Sequence, residues 1–187
     1  MANLTPLSNS CSSVTGGVYR IYLAKADQIT SMDLSGTHYN NITFVDGGES
    51  DGSPALIADS FELFEFEMDQ AEYRQNISRE NGAYAIEHEV EFFTKGWTEA
   101  QRVSLDELMQ AGCGLVAIVV NRNAPAGTND QWVVGYSENF GLLRPLYLES
   151  DSLTSGREFT DQTGSTVVLK SMDNERARRF VGTIPVV

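Results

Sequence analysis

The 187-residue chain is short of several things. It has two cysteines, Cys11 and Cys113, far apart in sequence, which excludes a disulfide framework and a zinc-binding set. Both read as free thiols, with Cys113 expected to be buried behind a helix. Two histidines, His38 and His88, are the whole supply of side chains that titrate near neutrality. No apolar run reaches the length of a membrane span, and the opening MANLTPLSNSCSS lacks the charged and apolar regions of a signal peptide. The expectation is a soluble protein made in a cytoplasm. Basic residues are scarce, 13 against 26 acidic ones, for a net charge of −13. That balance disfavours binding to nucleic acid or to an anionic membrane, because phosphate contacts draw on clustered Lys and Arg. The Asn-x-Ser/Thr triplets at Asn3, Asn41 and Asn76 are expected by chance in so polar a chain.

What is present is β-pattern. A hydrophobic content of 41% suits one globular domain, read as residues 16–187 behind a polar N-terminal arm, residues 1–15. A first strand is predicted at Val18 to Ala24 and another at Ile42 to Val45, followed by a long Gly/Ser/Asp/Pro loop from Asp46 to Ser60. TKGWTEAQRVSLDELMQAGCG carries the one helix. Thr98 and Gln101 form a capping-box pattern, Val103, Leu105, Leu108 and Met109 an apolar stripe, and Gly112 and Gly114 a stop. LVAIVV reads as a fully buried strand, followed by the loop NRNAPAGTND and by strands in QWVVGY and FGLLRPLYL. TGSTVVLKSMDNERARRFVGTIPVV adds one hairpin or two strands. One helix among about eight strands indicates an antiparallel β-sandwich or barrel with a flanking helix.

The most unusual stretch is FELFEFEMDQAEYRQNISRENGAYAIEHEVEFF, Phe61 to Phe93. Phe64, Phe66 and Met68 alternate with Glu65, Glu67 and Asp69. Tyr84, Ile86, His88, Val90 and Phe92 alternate with Ala85, Glu87, Glu89 and Glu91. NISRENG supplies the turn of a long hairpin, and the parity shift from Met68 to Ala71 and Tyr73 predicts a bulge or bend. One face is apolar and the other strongly acidic. Like charges across a ladder cost roughly 0.2–1 kcal/mol per pair, so water, salt or a basic surface must offset them. Lys170, Arg176, Arg178 and Arg179 form the candidate basic surface.

Chemistry is sparse. No G-x-S-x-G elbow, H-E-x-x-H helix or phosphate-binding glycine loop occurs. His88 sits on an apolar strand face and reads as a hydrogen-bonded core histidine; His38, in GTHYNN, reads as a turn residue. Glu87, Glu89 and Glu91 form a row, not the matched pair of unlike carboxyls that a glycosidase needs. DGGESDG has the composition of a calcium loop without its ligand spacing. The sequence therefore indicates no enzyme, no cofactor and no metal. Trp97, Trp132 and Tyr136 are the candidates for a carbohydrate-binding surface, and read more readily as packing residues.

The succession VYRIYLAKADQI, FEFEMDQAEYRQNISRENGAYAIEHEVEFF, a helix ending in DELMQ, LVAIVV and QWVVGYSENFGLL resembles tail tube proteins, and related neck or tail ring proteins, of bacteriophages, especially those of Bacteroidetes hosts. The resemblance covers most of Gly16 to Phe180 and rests on element order. It implies a β-sandwich or barrel with a flanking helix, located in the virion, whose copies form rings, hexamers above all. Rings stack, bind other tail or neck proteins and conduct DNA without gripping it. Glu65, Glu67, Asp69, Glu87, Glu89 and Glu91 would then line the lumen or meet the basic set on a neighbouring copy.

Overall fold

The computed structural model describes residues 17–45, 60–64, 66, 69–80, 83–96, 98–122, 130–155 and 162–186. It is mainly β, with eleven strands, one α-helix and one 3-10 turn among the described residues. The strands are β1 (Val18–Lys25), β2 (Ile29–Ser35), β3 (His38–Phe44), β4 (Glu62–Phe64), β5 (Ala71–Glu80), β6 (Ala83–Lys95), β7 (Leu115–Asn121), β8 (Gln131–Val134), β9 (Tyr147–Thr154), β10 (Gly164–Asp173) and β11 (Arg178–Phe180); the helix is α1 (Glu99–Gln110). Two sheets result, one of seven strands in the order β2-β3-β11-β8-β7-β1-β4 and one of four in the order β5-β6-β10-β9. All pairings are antiparallel except β11 with β3. Neither sheet closes on itself among the described residues, so the barrel alternative gives way to two open sheets.

The sheets pack across a core in which Ile21, Leu23, Ala117 and Val119 face Val90, Phe92, Val167 and Leu169. The alternate residues of β1 and β7, Tyr22, Ala24, Val116 and Ile118, enter a second core with Met32, Tyr39, Phe61 and Phe180. This explains why LVAIVV is apolar at every position: its strand is covered on both faces, so a period of two has no polar face to show.

Several expectations need correction. The acidic stretch is not one hairpin from Phe61 onward. Its first arm crosses between sheets: β4 pairs with β1 in the seven-stranded sheet, and β5 opens the four-stranded one. Asp69, at φ 66°, takes the left-handed conformation near that crossing, favoured in non-glycine residues by Asn and Asp. Of the bulge or bend expected there, the bend is what forms: the parity shift marks a change of sheet. The turn falls at the end of NISRENG, since β5 continues through its first five residues to Glu80 and β6 begins at Ala83. His38 begins β3 and is no turn residue. The segment FGLLRPLYL is mostly a turn region, and the strand there, β9, starts at Tyr147. The C-terminal stretch forms two strands in different sheets.

In α1, Leu105 packs against the inter-sheet core while Val103 is 43% exposed. At 3.6 residues per turn, two positions apart is about 200° around the helix, so the two cannot share a face. The side chains of Leu108, Met109 and Gln101 lie outside the described residues, as does Trp97. Cys113 is exposed, because it occupies the surface turn before β7 enters the core at Leu115. Gly114, at φ 82°, ends that turn where an added Cβ would meet Pro145 Cγ at 2.4 Å.

Candidate functional site

The candidate surface is the face of the four-stranded sheet turned away from the core. Strand alternation puts Val90 and Phe92 inward, so Glu87, Glu89 and Glu91 face out together. The register then determines their neighbours. Glu91 lies between Glu72 of β5 and Val168 of β10; Glu89 between Arg74 and Lys170; Glu87 between Asn76 and Met172. Tyr147 of β9 continues the Arg74–Glu89–Lys170 row.

Cations from the same sheet therefore offset the acidic row. Arg74 places Nη1 2.6 Å from Glu89 and Nη2 2.7 Å from Glu72 and 3.2 Å from Glu91, while Lys170 Nζ is 3.0 Å from the other Glu89 oxygen. One guanidinium bridges the like-charged cross-strand pair Glu72 and Glu91. The Glu89 side chain, clasped from both sides, is only 11% exposed. Its hydrogen bond holds the Lys170 ammonium above the usual lysine range, and hydrogen bonding to Glu72 raises the Arg74 guanidinium; reciprocally, Arg74 lowers the Glu72 carboxyl. Four carboxylates against two cations leave this face net acidic, with Met172 and Tyr147 exposed beside them.

Of the other acidic candidates, Asp69 is off this row and pairs with Arg122 at 2.6 Å. Glu65 and Glu67 lie outside the described residues. The basic candidates do not form one surface. Lys170 is central to the acidic face, whereas Arg178 and Arg179 are on β11 in the other sheet, where they pair with Glu138 and Asp130. Arg176 is exposed in the corner joining the two sheets. Arg74 escaped the sequence reading. Its position two residues after Glu72 assigns it to the polar face, but only the register shows it meeting Glu89.

Both edges of the sheet are unpaired among the described residues: β5 on one side and β9 on the other. Beneath the hairpin, His88 is buried and fully bonded. Its Nδ1 is 2.9 Å from the Tyr73 hydroxyl and its Nε2 3.0 Å from the Glu175 carbonyl. A neutral ring satisfies both, with Nε2–H donating to the carbonyl and Nδ1 accepting from the phenol. Burial pushes the imidazole below its ordinary value and pushes the Tyr73 phenol up. This is the core histidine expected from the strand pattern.

No group of three or more His, Cys, Asp or Glu among the described residues is arranged to hold a metal ion. Tyr136 is committed to packing, with its hydroxyl 3.2 Å from the Met32 amide and its ring edge-on to Tyr39. Trp132 lines a shallow depression with Arg176, Arg178 and Arg179. The arm, the 46–59 loop with DGGESDG, and 123–129 of the second loop lie outside the described residues. No helix among the described residues is long and apolar enough to cross a membrane. Comparison with protein-family models, with curated proteins and with solved structures finds no match to this chain.

Proposed function

We propose that the chain is a structural subunit that assembles with copies of itself into a ring, of the kind that stacks into a phage tail tube, and that it catalyses no reaction. The observation that carries this reading is the four-stranded sheet, whose two edges are unpaired among the described residues. Its strands alternate in direction, so β5 and β9, at opposite edges of a sheet with an even number of strands, run antiparallel to each other. Set beside β5 of the next copy, β9 would continue the antiparallel alternation without a break. The edges are similar in length, ten and eight residues. Such an edge-to-edge contact is heterologous, and heterologous contacts repeat around a ring when the rotation closes.

In that ring the core side of each sheet faces outward, and the Glu72, Glu87, Glu89 and Glu91 face turns to the channel. A net acidic wall offers phosphates no cluster of cations, which suits a conduit that DNA traverses without being held. Hexamers, a virion location and assembly after synthesis in the host cytoplasm follow from the same reading. A neck ring shares the geometry and differs in copy number, one ring per particle against many. Sedimentation velocity and negative-stain microscopy of the purified chain test the proposal. Annular particles with an open centre are expected; a strict monomer at high concentration, with no rings on the grid, refutes it. Glu87→Lys with Glu91→Lys is expected to leave ring formation intact while giving the assembly a measurable, salt-sensitive affinity for DNA.

A further inference from the structure

The two ends of the four-stranded sheet differ. Gly164 pairs with Lys95 at one end and Asp173 with Ile86 at the other, and ten residues of β10 separate them by about 30 Å at 3.3 Å per residue. Beyond Asp173 the hairpin continues, as Ser78↔Ala85 and Arg79↔Tyr84, with no third strand among the described residues. Its core-side stripe continues too. Ile77 and Tyr84 have the same parity as Tyr73 and Phe92, yet they are 45% and 57% exposed, while Ile86, across from Ile77, is still buried. The Arg79 guanidinium lies 5.2 Å from the centre of the Tyr84 ring and makes no ion pair among the described residues. The projecting tip is thus an apolar pair topped by a cation.

At the opposite end, α1 stands off the sheet and leaves a groove of about 340 Å³. Leu63, Phe64, Ala100 and Leu105 line its apolar part, and Glu62 stands at its rim. An adjoining recess of about 110 Å³ presents Glu107 beside Glu62, with Lys25 opposite. Leu63 is 37% exposed, in β4, which is the edge strand of its sheet among the described residues. An apolar floor beside two carboxylates and one ammonium, net acidic, matches an apolar tip carrying one guanidinium.

We infer that the hairpin tip of one copy, Ile77, Arg79 and Tyr84, docks into the α1–β4 groove of a second copy. This deepens the assembly reading above and rests on it for its purpose. Tip and groove lie at opposite ends of the strand direction, so the contact is head-to-tail and cannot close within a pair. It joins copies along the strands, whereas the β9–β5 contact joins them across the strands. One contact builds a ring, and the other stacks ring on ring.

The test is a disulfide trap. Tyr84→Cys and Ala100→Cys are introduced together into a chain in which Cys11→Ser and Cys113→Ser remove the native thiols. Mild oxidation is expected to give a ladder of covalent oligomers on a non-reducing gel, while either single cysteine gives dimers at most. In parallel, Ile77→Ser with Tyr84→Ser, and separately Ala100→Glu, are expected to leave circular dichroism unchanged and to lower stacking at least tenfold, stopping assembly at single rings. Mixing the two defective proteins is expected to yield two-ring stacks, since one still has its groove and the other its tip. Rings that stack normally with no covalent ladder overturn the docking inference and leave the ring reading intact. A ladder from a chain that makes no rings overturns the ring reading and leaves the docking contact standing. Neither ladder nor rings overturns both.

Discussion

The central strands of the two sheets occupy opposite situations. In the seven-stranded sheet β1 and β7 are covered on both faces, with Ile21, Leu23, Ala117 and Val119 in one core and Tyr22, Ala24, Val116 and Ile118 in the other. In the four-stranded sheet β6 and β10 are covered by another sheet on one face only among the described residues, and the other face carries Glu87, Glu89, Glu91 and Lys170. Strands buried on both faces have no surface to offer a partner and gain their stability from area removed from water. A strand buried on one face can keep a fixed position and still present a designed pattern outward. The first sheet is therefore the more deeply buried of the two, and the second carries the patterned charged face.

The largest expected effect tests where the second sheet draws its stability. Phe92 is fully buried on the core face, against Phe64 and Phe66. Phe92→Ala is expected to cost about 3–5 kcal/mol in urea unfolding, and a loss under about 1 kcal/mol would mean that the four-stranded sheet is not held by this core. Next comes the junction between the two sheets. Gly114→Ala puts a Cβ against Pro145 in left-handed backbone, beside the Leu115–Leu146 bridge. A loss of about 1–3 kcal/mol is expected; wild-type stability would show that this bridge yields easily.

The third prediction concerns pH. Burial lowers the folded-state pKa of His88, which faces Tyr73 of β5, Asp173 of β10 and the Glu175 backbone. The unfolded chain then binds the proton more readily than the folded one. Stability should rise with pH below the unfolded value of about 6.5 and level off above it, with a slope of at most about 1.4 kcal/mol per pH unit. His88→Gln should remove that part of the slope. Identical slopes in both proteins would show that the ring is not held neutral. The smallest effects separate members of the acidic row. Glu89→Gln, losing charge between Arg74 and Lys170, is expected to cost about 0.5–1.5 kcal/mol, and Glu87→Gln less than about 0.5 kcal/mol. Equal costs would show that the clasp around Glu89 contributes nothing.

Much of this was legible in the chain. Alternation along Tyr84–Phe92 identifies the inward and outward faces of β6, because side chains alternate strictly in a strand, and His88 follows as a core residue from the same rule. The unbroken LVAIVV run identifies a strand covered twice. Strands without strong alternation were missed: β2, with its polar ITSMDLS, and β9, with YLESDSLT, where seven of eight positions are exposed or charged edge residues and no periodicity marks them. The exposed Cys113 was misread because residue type predicts burial only on average, while the turn that carries it is held at the surface by its place between α1 and β7.

By itself, the sequence determined the local and statistical properties: mainly β structure, the single helix, the two faces of the hairpin and an overall negative charge. These depend on residues near one another in the chain, on propensity, on the period of two and on a sum of charges. Only the tertiary structure decided that the acidic stretch divides between two sheets at Asp69, that Arg74 and Lys170 flank Glu89, and that Arg178 and Arg179 belong to a different sheet from Lys170. Each of these is a pairing register or a sheet membership. A register sets side by side residues far apart in the chain, as Lys170 and Glu89 are at 81 positions, and no local periodicity carries that information.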